Sequence, residues 1–154
     1  MELLREYLAV STTSCTGLVW IKSPRAAIKI GTPAFIRQDK DGYFCGLFKR
    51  KPYRAHRVVF FLTHNYWPAQ VDHIDGAVTN NNPSNLRAVT VSENNHNIIA
   101  AGYTQNKITG RYQAKIMVHG KRKYLGYFNT PEEARTAYLT AKKQLHPTAP
   151  ARCY

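Results

Sequence analysis

The chain has 154 residues, with 22 Lys and Arg against 9 Asp and Glu, a formal net charge of +13. Hydrophobic residues at 44% are enough to build a core, which excludes wholesale disorder. No apolar run approaches the ~20 residues of a membrane span, and Met1-Glu2-Leu3-Leu4-Arg5-Glu6 lacks the basic start and apolar core of a signal peptide. Cys15, Cys45 and Cys153 are odd in number and form no CxxC pair, so neither a disulfide framework nor a zinc–cysteine site is expected. These features predict a cytoplasmic protein whose charge calls for a polyanion, nucleic acid before an acidic protein or a membrane surface. Residues 1–98 carry 12 basic and 7 acidic side chains, whereas residues 99–154 carry 10 and 2. The steeper charge of the last third suggests two modules with different tasks, 1–100 and 101–154.

In chain order, Leu18–Lys22 and Ala27–Ile30 read as short strands. Asp41-Gly42 marks a turn between strands at Phe35–Arg37 and Tyr43–Cys45. Arg54–Tyr66 has helical spacing, with Ala55, Val58, Val59, Leu62 and Tyr66 on one stripe and Pro68 as its stop. Short strands follow at Val71–His73 and Leu86–Val89, on either side of an Asn-rich loop. Thr90-Val91-Ser92-Glu93 is a capping box that opens a helix carrying Asn94. Residues 98–102 make a plausible junction. From Arg111 to Val118 the period is two: Tyr112, Ala114, Ile116 and Val118 alternate with Arg111, Gln113, Lys115 and Met117. His119-Gly120 turns the chain into Arg122–Phe128. Thr130-Pro131-Glu132-Glu133 is a second capping box, opening a helix that gathers Ala134, Ala137, Tyr138, Ala141 and Leu145 on one face and ends at Pro147. The second module therefore reads as a small sheet backed by one helix.

The chemistry is concentrated between Asp72 and Asn97. Two strands and a helix folding back across them bring Asp72-His73, Asn85 and Asn94 together. Phosphodiester hydrolysis needs a base for water and a cation for the charge on phosphate and leaving oxygen. Histidine suits the first role, and a carboxylate with an amide oxygen suits a hard cation such as Mg²⁺ or Mn²⁺. Taken alone, an Asp-His pair beside an Asn-rich turn is equally compatible with a purely structural loop.

Ala55-His56-Arg57, Val71-Asp72-His73-Ile74-Asp75-Gly76, Asn81-Asn82 with Ser84-Asn85-Leu86-Arg87, and Val89-Thr90 with Glu93-Asn94-Asn95 and Asn97 add order and spacing. With them, residues 1–100 resemble the HNH (His-Me finger) endonucleases, in their phage-type homing or free-standing branch. The resemblance implies an α+β protein with a ββα-metal nuclease module. It implies that His73 activates water, that Asp72 and Asn94 hold one divalent cation, and that Asn85 keeps the histidine ring in its productive orientation. Asn94 stands where the family name has its final H; His96, two residues on, points elsewhere on a helix. Asp75 reads as a turn residue, His56 as a residue that packs or satisfies backbone groups, and Arg87 either as a contact to the scissile phosphate or as a solvated strand end. In the implied reaction neutral His73 takes a proton from water, which attacks phosphorus in line with the 3′ oxygen and leaves 5′-phosphate and 3′-hydroxyl ends.

Gly102-Tyr103, Gly110-Arg111-Tyr112, Ala114, Ile116, Tyr124-Leu125-Gly126-Tyr127-Phe128 and Thr130-Pro131-Glu132-Glu133-Ala134 with Ala137-Tyr138 resemble the APETALA/ethylene-response-factor DNA-binding domain. That family implies a three-stranded antiparallel sheet lying in the major groove with one helix behind it. The alternation independently selects one outward face: Arg111, Gln113, Lys115 and Met117, with Arg122 and Tyr124 by the same parity. Arg111, Gln113, Lys115, Arg122 and Tyr124 are the expected DNA contacts there, and Lys121 and Lys123 suit phosphate. The combined expectation is a metal-dependent DNA endonuclease, monomeric on double-stranded DNA and needing no small-molecule cofactor, that nicks or makes paired cuts. The alternatives are a non-catalytic DNA-binding regulator with a degenerate nuclease module, and an RNA-binding or RNA-cleaving protein. Against the last, an A-form major groove is too narrow for a sheet.

Overall fold

A computed structural model describes residues 2–154. The protein is a mixed α/β chain with small antiparallel sheets, and it divides into two compact units, one ending at Val89 and one running from Thr90 to Tyr154.

The first unit opens with a helix α1 (Glu2–Tyr7) and a hairpin of β1 (Leu8–Val10) and β2 (Leu18–Trp20). A three-stranded meander follows: β3 (Arg37–Gln38), β4 (Phe44–Phe48) and β5 (Lys51–Arg54). Asp39 shapes the β3–β4 turn, its Oδ1 accepting from the Asp41 and Tyr43 N–H groups. Helix α2 (Ala55–His64) then packs its apolar side into a core of Leu4, Leu8, Leu18, Trp20, Phe35, Phe48 and Leu86. The last pair, β6 (Gln70–His73) and β7 (Leu86–Val89), is antiparallel, and both strands pack on α2.

Several expectations are corrected here. Ala27–Ile30 is not a strand; Ile28 N–H instead bonds back to Arg25 O in a turn. The strand expected from Phe35 begins only at Arg37, because Phe35 has φ 59° and turns its ring into the core. Helix α2 stops at His64, before Pro68: Asn65 takes the left-handed conformation (φ 67°) and bonds its N–H to Phe61 O. Tyr66, expected on the buried stripe, is therefore outside the helix and half exposed, and Phe60 and Phe61 are buried instead.

In the second unit the Thr90 capping box is complete, with Glu93 N–H on Thr90 Oγ1 and Thr90 N–H on Glu93 Oε2. It opens a short helix α3 (Val91–Asn95). The next residues are fastened to the carboxy-terminal part. Carbonyls of Asn97, Ile98 and Ala100 accept from Cys153 Sγ, Lys142 Nζ and Arg135 Nη1, respectively. This anchoring explains why the compact division falls at Val89 rather than within 98–102. Strands β8 (Tyr103–Gln105), β9 (Tyr112–Val118) and β10 (Lys121–Phe128) form an antiparallel sheet in the order β10-β9-β8. Helix α4 (Pro131–Leu145), with its own complete capping box at Thr130, covers one face. Ile116, Tyr138 and Ala141 form the centre of that small core. Lys142 is buried as well, which the periodicity did not predict; its ammonium reaches Ile98 O at 2.7 Å. No described helix is long and apolar enough to cross a membrane. All three cysteines are free.

Candidate active site

The β6–β7 register sets Asp72 opposite Arg87 and His73 opposite Leu86. Alternation then sends the two side chains of Asp72-His73 to opposite faces of the ribbon. His73 turns inward and is 4% exposed, while Asp72 meets its cross-strand neighbour. Arg87 contributes Nε and Nη2 to Asp72 Oδ2, each at 2.9 Å. Arg87, expected at a phosphate, thus also belongs to an ion pair with the carboxylate beside the histidine.

The His73 ring has one polar partner of defined direction. Asn81 Oδ1 lies 3.0 Å from His73 Nε2, and Asn81 Nδ2 donates to Thr16 O at 2.9 Å. A carbonyl only accepts, so Thr16 O fixes which end of the Asn81 amide is nitrogen. Oδ1 must then face His73, Nε2 must carry the proton, and in the neutral ring Nδ1 holds the lone pair. Asn81 is 3% exposed, and Gly17 lets the chains approach here: at φ +77°, its missing Cβ would lie 2.9 Å from Asn81 O. The sequence contained this residue only as one of three successive asparagines, with nothing to say which one turns inward.

Asn85 acts on the loop and not on the ring. Its Oδ1 accepts from Asp75 N–H at 3.1 Å, and its Nδ2 donates to Asp75 Oδ1 and to Asn80 O, both at 2.9 Å. Its own carbonyl takes the Ile74 N–H. Asn85 therefore clamps the residues that follow His73, and the ring orientation assigned to it rests with Asn81. Asp75, the turn residue, completes the clamp. Desolvation raises its pKa, but hydrogen bonds from Asn80, Asn85 and the Ala77 N–H outweigh that and hold the carboxyl below the usual range.

Two further rings enclose His73. His56, from the first turn of α2, meets it edge-on with centroids 5.0 Å apart, and Tyr43 of the β3–β4 turn lies against both. His56 is 4% exposed, and its buried Nδ1 has no hydrogen-bond partner among the described residues. Burial pushes its pKa down to about 3, with the charges of His73, Arg54 and Arg57 acting in the same direction. His56 is therefore neutral at any pH near 7.

Asp72, His73, Asn85 and Arg87 are gathered in the first unit. Asn94 stands on α3 of the second unit, exposed, its Oδ1 accepting from Asn97 Nδ2 at 3.2 Å. Among the described residues no three His, Cys, Asp or Glu side chains are gathered as a metal site. Of the expected DNA contacts, Arg122 and Tyr124 pair with Met117 and Lys115 across β9–β10, which puts them on the face turned from α4, with Gln113 further along β9. Arg111 lies just ahead of β9 and is exposed.

The family model for HNH endonucleases matches residues 53–96. The matched stretch spans α2, β6, β7 and α3 and contains His56, Asp72, His73, Asn85 and Asn94. No curated protein and no solved structure matches the chain.

Proposed function

We propose that this protein is a metal-dependent DNA endonuclease in which His73 is the general base and the carboxy-terminal unit positions the cut. The observation that carries the reading is the Thr16–Asn81–His73 relay, whose histidine lies in an HNH-type stretch: a buried imidazole with Nε2 turned to the Asn81 carbonyl oxygen, which leaves Nδ1 as the nitrogen to take a proton.

Each remaining residue has a task in that scheme. His73 Nδ1 takes the proton of the attacking water, and Asn81 Oδ1 steadies the imidazolium that forms through its bond to Nε2–H. Asn85 and Asp75 keep the loop after His73 from drifting, which matters because a displacement of about 1 Å costs orders of magnitude in rate. His56 and Tyr43 exclude water from the inner side of the ring. Arg87 neutralises Asp72 Oδ2, which leaves Oδ1 as the oxygen to face a cation.

By residue type alone, the donors proposed for the cation suit a hard divalent ion. Asp72 and Asn94 offer a carboxylate and an amide oxygen, and Mg²⁺ is commonly held by one or two protein oxygens with water and substrate phosphate completing its shell. Asp72 and Asn94 would hold such an ion, Mg²⁺ or Mn²⁺, and it would supply Lewis-acid stabilisation of the charge that develops on the phosphate. The net charge of +13 and the basic sheet face suit a polyanionic duplex. The phage-type branch, the APETALA/ethylene-response-factor kinship of residues 101–154 and monomeric action on DNA belong to the same proposal.

The test is conversion of supercoiled plasmid to nicked or linear form with Mg²⁺ or Mn²⁺, beside an EDTA control and Asp72→Ala and Asn94→Ala variants. Cutting by the wild type alone, abolished by EDTA and reduced in both variants, supports the scheme. Tight duplex binding without cutting under any metal, across plasmids of varied sequence, assigns the protein to non-catalytic DNA binding instead.

A further inference from the structure

The outward face of the second unit's sheet contains an arrangement that plain alternation along β10 does not produce. Arg122 pairs with Met117 and Tyr124 with Lys115, but the register then shifts, and Gly126 pairs with Ala114 and Tyr127 with Gln113. Leu125 is the extra residue, and Gly126 adopts φ +134°, open to glycine alone. Without this bulge Phe128 would face outward and Tyr127 inward. With it, Phe128 is partly buried and Tyr127 is 51% exposed beside Gln113.

Tyr127 is tied to the residues on either side. Gln113 Nε2 donates to the Tyr127 hydroxyl at 2.6 Å, and Arg111 Nη2 donates to Tyr127 O at 3.1 Å, with the guanidinium 5.9 Å from the ring centroid. A glutamine side chain is usually free to rotate and loses that freedom on binding. Here the phenol takes one amide N–H, and the second N–H and Oε1 of the same amide remain available.

From this geometry we infer that Gln113, held by Tyr127, reads an adenine in the major groove of duplex DNA, with Tyr127 as its positioning residue. Adenine presents N7 as acceptor and N6–H₂ as donor, the complement of one amide N–H and one amide carbonyl. Guanine presents two acceptors and would set O6 against Oε1. Thymine and cytosine each offer a single matching group. Lys115, Arg122 and Arg111 around the pair supply the positive charge a duplex requires. The inference rests on the proposal that this sheet binds duplex DNA, and it adds the base and the residues that select it.

The full chain, in EDTA so that no cutting intervenes, is used to select duplexes from a random pool, followed by binding titrations of single-base variants. One position in the selected site will prefer adenine by about 5- to 150-fold, the range of a good bidentate contact. Gln113→Ala will abolish that preference and leave the other positions intact. Tyr127→Phe keeps the ring but frees the amide, and will cut the preference for adenine several-fold. Gln113→Glu will move the preference toward cytosine, whose N4–H₂ is a donor. An unchanged selected site in Gln113→Ala overturns the inference, and so does guanine at the affected position, which would mean that the amide is turned round. Absence of duplex binding by the wild type overturns the underlying assignment of the sheet to DNA.

Discussion

His56 offers a quantitative test of the packing around the proposed base. Its folded pKa, near 3, lies below the ordinary 6.5, so the unfolded chain takes up the proton first as pH falls. Stability contributed at this site is therefore fully present above pH 6.5 and declines below it, the decline ending only near pH 3. Proton linkage with these two values gives a loss of about 2 kcal/mol between pH 7 and pH 5. The assay is urea unfolding of wild type and His56→Leu at both pH values, comparing the change in stability and not its absolute level. Leucine alters packing equally at both pH values, so the difference isolates the titrating ring. Wild type should lose about 2 kcal/mol more than the variant over this interval. Equal losses would mean that His56 is already protonated or well solvated in the folded protein, and the argument for a permanently neutral neighbour of His73 would fail.

Three further outcomes follow from the same contacts. Asn81→Ala leaves His73 Nε2 and Thr16 O without their partner in a buried site, so stability should fall by about 1–3 kcal/mol and plasmid cutting should drop sharply; urea titration and nicking rates check both. Asn85→Ala removes the clamp on the partly solvated loop and should lower the cutting rate while leaving far-UV circular dichroism and duplex affinity close to wild type. Thr130→Ala deletes half of the α4 capping box and should cost about 1 kcal/mol in the second unit, read as a lower urea midpoint, with any cutting rate of the folded protein unaltered.

Where local signals are strong, the chain can be read directly. Two capping boxes open helices at Thr90 and Thr130, and the strict alternation of 112–118 gives β9 with Ala114 and Ile116 buried. Asp72-His73 carries little by itself, since an Asp-His pair beside an Asn-rich turn also suits a structural loop; only the order and spacing of the surrounding residues single it out. What escapes notice depends on one residue's departure from a pattern. Asn65 ends α2 by taking φ > 0, and Leu125 inserts a bulge that exchanges the faces of Tyr127 and Phe128. Both are backbone choices made by tertiary packing, invisible in a hydrophobic period. The partner of His73 is hidden for a different reason: Asn80, Asn81 and Asn82 are chemically identical, and only the buried Thr16 carbonyl selects the middle one. Asn85 is expected at the His73 ring from the sequence, and the loop's geometry sets it on the Asp75 backbone instead.

In the proposed scheme His73 Nδ1 accepts the proton of the attacking water. Single-turnover cutting of a selected duplex by wild type and His73→Ala, with Mg²⁺ present and binding measured in parallel, tests it most directly. A rate reduced by about 10²- to 10⁴-fold at unchanged duplex affinity is the predicted result, the usual contribution of a general base. Cutting by His73→Ala at the wild-type rate would contradict it.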